Sequence, residues 1–71
     1  MKITHEGKEL APCIVSKAKY ALELKDQSPC NQNPCSEAYW EKTVVIVGRH
    51  YNLDDNTINN AIEMYNDLFL G

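Results

Sequence analysis

The cysteines and histidines are the residues of this chain whose chemistry would suit a metal ion. Cys30 and Cys35 lie four residues apart in a polar segment, and Cys13, His5 and His50 lie elsewhere. Zinc prefers thiolate and imidazole ligands, but structural zinc sites usually present them as two close pairs, and only one pair is close here. The sequence therefore predicts no metal and no cofactor. A disulfide between Cys30 and Cys35 is the alternative in an oxidising compartment.

This sequence lacks a complete set of catalytic residues. Cys13 follows Pro12 in the first turn of a predicted helix, where the helix N-terminus favours the thiolate. A nucleophile also needs a base and an oxyanion site, and no histidine lies near Cys13 in the sequence. Asp54 and Asp55 are better explained as helix caps than as an acid and base. We expect that the protein is not an enzyme.

The first element that positions these side chains is a predicted helix from about Leu10 to Lys25. Pro12 fits only the first turn of such a helix. Residues 1–9 are expected to form an arm or a short strand that Gly7 interrupts, and residues 26–35 are expected to form a loop. The apolar residues of the helix recur at helical spacing: Ile14, Ala18, Ala21 and Leu22.

A second helix is predicted after Ser36, a residue type that commonly caps a helix N-terminus. Its apolar face consists of Trp40, Val44, Val47 and Tyr51. Residues 43–47 are β-branched throughout, which leaves a strand open as the alternative. We favour the helix because the helical spacing extends beyond the β-branched run.

A third helix, capped by Asp54 or Asp55, has the clearest amphipathic pattern. Together the three segments predict one small all-α domain over residues 1–71, with a short N-terminal strand as an optional addition. The apolar residues of the third helix share one face: Ile58, Ala61, Ile62, Tyr65, Leu68 and Phe69.

Residues 44–62 resemble the helix-turn-helix motif. Gly48 supplies the small residue where two helices cross closely, and Asn52 can take the left-handed turn conformation. Leu53 then corresponds to the buried residue of the turn, and Ile58 to a residue that packs on the preceding helix. The resemblance implies a DNA-binding regulator whose third helix reads the major groove. The residues that it assigns to DNA are Lys42, Arg49, Asn56, Thr57, Asn59 and Asn60.

Charge argues against DNA as the principal partner. The net charge is −3, and the stretch from Leu53 to Gly71 contains four acids and no basic residue. Nucleic acid is repelled by such a surface, whereas a basic protein surface is attracted. Lys17, Lys19 and Lys25 would improve the case for DNA if they shared a face with the third helix.

The function that we favour is a non-enzymatic interaction protein that modulates or inhibits a protein partner. By analogy with small inhibitors encoded by phages and mobile elements, the partner would carry a basic nucleic-acid-binding surface. The apolar end at Leu68 to Leu70 leaves a homodimer open. The residues predicted to bind the partner are Asp54, Asp55, Asn59, Asn60, Glu63, Asp67, Tyr39 and Tyr51.

The compartment is predicted from the cysteines and from the hydropathy of the chain. No apolar run reaches the roughly 20 residues that a membrane span needs, and the first ten residues lack the apolar core of a signal peptide. Three cysteines cannot form a complete set of disulfides, which is typical of reduced thiols. We therefore expect a cytoplasmic protein with no membrane contact.

Overall fold

Three helices dominate the computed structural model, which describes residues 4–5, 7–25 and 36–70. They are α1 (Pro12–Ala21), α2 (Glu37–His50) and α3 (Asp55–Ile62), and a single-turn π-helix follows at Asn66–Leu70. All three α-helices pack against one another. The prediction of a small all-α domain is confirmed.

A two-residue hairpin precedes the helices. Strand β1 (Thr4–His5) pairs antiparallel with β2 (Lys8–Glu9), with Thr4 opposite Glu9 and His5 opposite Lys8. Gly7 lies between the strands with φ 76°, a conformation that side chains disfavour. The expected short strand is thus present, and Gly7 reverses the chain rather than simply ending the strand. Residues 1–3 lie outside the described part of the chain.

Helix α1 is shorter than the sequence predicts, because it ends at Ala21 rather than near Lys25. Glu23 takes the left-handed conformation with φ 64°. Its N–H donates to the carbonyl of Tyr20 at 3.0 Å, and the Leu24 N–H donates to the carbonyl of Lys19 at 2.8 Å. These two bonds form a Schellman motif, which terminates a helix by satisfying its last carbonyls. Glutamate rarely occupies the left-handed position of this motif, so no local pattern predicts it.

Cys13, in the first turn of α1, is disulfide-bonded. The expectation that all three cysteines are reduced thiols is therefore wrong. An odd number of cysteines prevents complete pairing, but it does not prevent one bond with one thiol left over. Cys30 and Cys35 both lie in the predicted loop 26–35, outside the described residues. The disulfide removes the argument from reduced thiols for a cytoplasmic location.

Helix α2 begins at the predicted cap. The Ser36 side chain accepts a hydrogen bond from the Tyr39 N–H at 3.1 Å. Residues 43–47 are helical, so the strand alternative is wrong. Burial explains the outcome, since only a helix brings Trp40, Val44 and Val47 to one face, and all three are completely buried.

The connection from α2 to α3 is a second Schellman motif. Asn52 has φ 59°, and its N–H donates to the Arg49 carbonyl at 3.1 Å. The Leu53 N–H donates to the Gly48 carbonyl at 2.9 Å. Asparagine tolerates this backbone better than most residues because its short polar side chain can bond locally. Asn52 therefore takes the left-handed conformation that the sequence predicts for it.

Gly48 is buried where α2 crosses α3. A Cβ atom at this position would lie 2.5 Å from Ile58 Cγ1 and 2.8 Å from Ile58 Cδ1. Both distances are well below an ordinary carbon–carbon contact of about 3.5–4.0 Å. The close crossing thus requires a residue without a side chain.

Helix α3 is shorter than the predicted amphipathic segment. Helix α3 ends at Ile62, and the apolar stripe continues through a turn into the π-helix. The Trp40 indole N–H donates to the Ile62 carbonyl at 3.1 Å. In a continuing α-helix, this carbonyl would accept the N–H of the residue four positions later. Phe69 then packs edge-on against Trp40, with ring centroids 5.3 Å apart. The C-terminal segment up to Phe69 therefore folds back on the core.

Among the described residues, the Thr43 hydroxyl is buried in this core without a hydrogen-bond partner. Thr43 is completely buried on α2, and its hydroxyl oxygen makes no hydrogen bond. An unsatisfied buried hydroxyl lowers stability. The apolar core around it consists of Leu10, Ile14, Val15, Ala18, Ala21, Leu22, Trp40, Val44, Val47, Ile58 and Ala61.

Candidate protein-binding surface

The polar side chains predicted to bind a partner lie on the exposed side of α3 and of the residues after it. Ile58 and Ala61 hold the opposite side of α3 against α1 and α2, and both are buried. We call the exposed set the acidic face. Its members are Asp54, Asp55, Asn59, Asn60, Glu63 and Asp67, and each of them is exposed.

The acidic face has a rigid support. Ile58 is fixed against Gly48, and the carbonyl of Ile62 accepts the hydrogen bond from Trp40. One contact holds the middle of α3, and the other holds its C-terminal end. Side chains on a fixed helix lose little further backbone entropy when they bind a partner.

Asp54 serves the fold as well as the surface. Its carboxylate accepts a hydrogen bond from the Thr57 N–H at 3.2 Å, which caps α3. Hydrogen bonds from the Thr57 side chain and from its N–H lower the pKa of Asp54. Asp54 therefore stays charged to lower pH than a free aspartate, so that the N-terminal end of the acidic face keeps its charge.

Tyr39 and Tyr51 are less available to a partner than the acidic face. Both are half-buried and pack against the core. The Tyr51 ring also lies edge-on to His50, with centroids 5.0 Å apart, and Lys19 Nζ lies 5.7 Å from the Tyr51 centroid. A partner would reach only part of each ring.

The residues that the helix-turn-helix resemblance assigns to DNA are exposed, with one exception. Thr57 is half-buried and bonded to Asp54. Arg49 and Asp55 line the same shallow recess at the turn, so a carboxylate accompanies the cation that would contact phosphate. The exposed residues of this set are Lys42, Arg49, Asn56, Asn59 and Asn60.

Two of the three lysines named in the case for DNA lie over aromatic rings. Lys17 Nζ is 4.3 Å from the centroid of Phe69, and Lys19 lies over Tyr51. The first lysine therefore faces the C-terminal π-helix, and the second lies beside the α2–α3 turn. Lys25 is exposed beyond the end of α1.

Sequence reasoning missed a recess at the C-terminal end of α1. Tyr20, on its wall, is 42% exposed, whereas the other large hydrophobic side chains that the structure describes are buried or half-buried. In the sequence, Tyr20 lies outside the apolar stripe of α1. That position is the signal from which its exposure could have been predicted. The recess is lined by Tyr20, Ala21, Glu23, Lys25 and Met64.

The described residues contain neither a cluster of metal ligands nor a helix that could span a membrane. Among them, no three histidine, cysteine or acidic side chains come together in a way that would hold a metal ion. None of the described helices has the length and apolarity of a membrane span.

Comparison with known proteins gives no relative, since no family model, curated protein or solved structure matches this chain.

Proposed function

We propose that the protein is a non-enzymatic interaction protein that binds a basic surface of a protein partner through its acidic face. One observation carries the proposal: every side chain of the acidic face is exposed, opposite the buried residues Ile58 and Ala61. Exposed polar side chains therefore lie along α3 and the segment after it, and the buried residues hold α3 against the core.

Electrostatics supports a basic partner. From Leu53 to Gly71 the chain has four carboxylates and no cation. Complementary potentials steer association and exclude partners of like charge. Both effects favour association with a basic protein surface and disfavour association with a nucleic acid.

Basic protein surfaces in cells often bind nucleic acid. A small acidic protein that covers such a surface would compete with the nucleic acid for the same cations. The consequence for the partner is inhibition or modulation of its nucleic-acid binding. No chemistry on the partner is required, in keeping with a non-enzymatic role.

The experiment is affinity capture from a lysate of the source cells, with nuclease-treated and untreated samples in parallel. The test variant is the double substitution Glu63→Lys, Asp67→Lys, which reverses two exposed charges of the acidic face. The matched control is Glu9→Lys, Glu41→Lys, which changes the net charge equally at two exposed sites elsewhere.

The expected result is a protein partner that survives nuclease and binds the control like the wild type. The test variant should bind it with affinity reduced on the order of tenfold or more, because like charges then face each other. Equal losses in both variants would show that only net charge matters, and the acidic face would not be the binding site.

A second candidate function is DNA binding by the α2–α3 pair. The specific observation in its favour is the close crossing at Gly48 followed by the left-handed Asn52, as the motif requires. Exposed asparagines on α3 have the amide groups that can bond adenine in the major groove.

DNA binding is tested by gel shift of the purified protein on random duplexes at rising salt. A DNA binder should lose affinity steeply as salt rises, and Lys42→Ala with Arg49→Ala should weaken it and flatten the salt dependence. Capture of proteins only through nucleic acid in the lysate experiment would favour this function over the first.

A further inference from the structure

The recess at the end of α1 lies beside the acidic face. Met64 lines the recess and directly follows Glu63 of the acidic face. Met64 lies in the turn that follows the end of α3 at Ile62. A partner that covers the acidic face therefore also reaches the mouth of the recess.

The interior of the recess is suited to an apolar group. Ala21 is almost completely buried and contributes only a methyl group, so that space remains between the end of α1 and Met64. Met64 has a flexible, polarisable side chain that adapts to the shape of a ligand. Tyr20 presents a large aromatic ring, and tyrosine is among the residues that most often dominate binding energy at interfaces.

The wall formed by α1 is fixed before binding. The Tyr20 carbonyl accepts the Glu23 N–H, and the Leu24 N–H closes the same Schellman motif on Lys19. Leu24 itself is half-buried against the core. The end of α1 is therefore tied down by hydrogen bonds and packing, and Tyr20 stands on a helix and not on a loop.

The charges around the recess indicate which residues should flank an apolar side chain that a partner inserts there. Glu23 and Lys25 line the recess on the α1 side, and the exposed Glu63 directly precedes the lining residue Met64. An apolar side chain that enters here is therefore best accepted from a segment that carries lysine or arginine beside it. A buried apolar anchor with a charged rim is the usual arrangement of an interface hot spot.

We propose that this recess binds one large apolar side chain, such as leucine or phenylalanine, of the basic partner, with its basic neighbours on Glu63 and Asp67. The inference rests on the proposed function and deepens it, since it defines the segment that the partner presents. The acidic face supplies attraction and orientation, and the recess supplies discrimination among basic partners.

The test uses two synthetic peptides and the purified full chain. Each peptide has three lysines on either side of one central residue, which is phenylalanine in one peptide and serine in the other. Binding is measured by fluorescence anisotropy at low salt. The chain contains only two methionines, so methyl NMR with labelled methionine follows Met64 directly.

The phenylalanine peptide should bind about tenfold tighter than the serine peptide and should shift the Met64 methyl signal. Tyr20→Ser should abolish this tenfold preference. The control Ile46→Ser changes a half-buried apolar residue on the far side of α2 and should retain the preference. Thermal melts by circular dichroism verify that each variant is folded.

The two proposals fail in different ways. If both peptides bind equally, leave Met64 unshifted, and are weakened by Glu63→Lys with Asp67→Lys, the recess inference is overturned and the acidic face stands. If neither peptide binds the wild type, the proposed function fails together with it.

Discussion

Substitution of Gly48 by alanine tests the contact that fixes the direction of α3. The added methyl carbon would lie 2.5 Å from Ile58 Cγ1 and 2.8 Å from Cδ1, so the two helices must separate by about 1 Å or Ile58 must move. Ile58 is 4% exposed and branches at Cβ, which restricts the rotamers it can use. Leu22 Cδ2, 3.7 Å away, is at an ordinary distance and is not affected.

Two opposing terms set the magnitude. Alanine in the interior of a helix is favoured over glycine by about 1 kcal/mol. Overpacking of a well-packed core costs about 1–3 kcal/mol and occasionally more. Because the overlap involves the Cγ1 atom and not only the end of the side chain, we expect the upper part of that range. The net expectation is a loss of about 1–2 kcal/mol, or a fall in Tm of roughly 5–15 °C for a domain of this size.

The assay is urea unfolding followed by circular dichroism and by the fluorescence of Trp40, the only tryptophan. The control is a double-mutant cycle with Ile58→Ala, which alone should cost about 2–5 kcal/mol. In that background the overlap is gone, so Gly48→Ala should become neutral or stabilising by up to about 1 kcal/mol. A double-mutant cycle with this outcome separates the effect of the Gly48–Ile58 contact on stability from the effect of helix propensity.

The reasoning is refuted if Gly48→Ala alone raises stability, or if its effect is the same with and without Ile58. Either result would mean that α2 and α3 do not approach closely at Gly48. The geometry behind the helix-turn-helix alternative would then be lost as well.

Three further predictions concern the rest of the molecule. Reduction with dithiothreitol, or Cys13→Ser, should lower the unfolding free energy by on the order of 3 kcal/mol, because a disulfide restricts the conformations of the unfolded chain. An unchanged melt would contradict this prediction, and non-reducing peptide mapping identifies the partner cysteine. Thr43→Val should stabilise by about 1–2 kcal/mol by removing the unsatisfied buried hydroxyl, whereas the control Thr57→Val, which loses a bond to Asp54, should destabilise. Asp54→Ala should lower Tm at neutral pH. This loss of Tm should shrink as the pH falls below the ordinary aspartate pKa of 3.8 and then through the lowered pKa of Asp54 in the folded protein. A loss of Tm that is independent of pH would mean that the charge of Asp54 does not stabilise the cap.

The helix starts could be predicted from the sequence because they depend on local chemistry. Ser36 and Asp54 each accept an N–H three residues ahead, a bond that only a short polar side chain at that position can make. The left-handed Asn52 was predictable for the same reason. The polar residues of the acidic face were identified correctly as exposed, since a helix with one apolar stripe must expose the other side.

The helix ends were less predictable. Glu23 ends α1 in the left-handed conformation, which glutamate seldom adopts. We attribute this conformation to packing, because it allows the next residue, Leu24, to pack against the core. The last residue of α3, Ile62, accepts a hydrogen bond from Trp40, which lies 22 residues away in sequence. No local pattern around Ile62 contains that information.

The sequence by itself determined where the helices begin, which stripe of each helix is apolar, and that acids accumulate toward the C-terminal part. These properties follow from neighbouring residues and from the 3.6-residue repeat of the helix. Only the tertiary structure decided that Cys13 is bonded, that Tyr39 and Tyr51 are half-buried, and that Tyr20 borders an open recess. These properties depend on which residues, distant along the chain, meet when the three helices pack, and a periodicity that repeats within one helix carries no record of its neighbours.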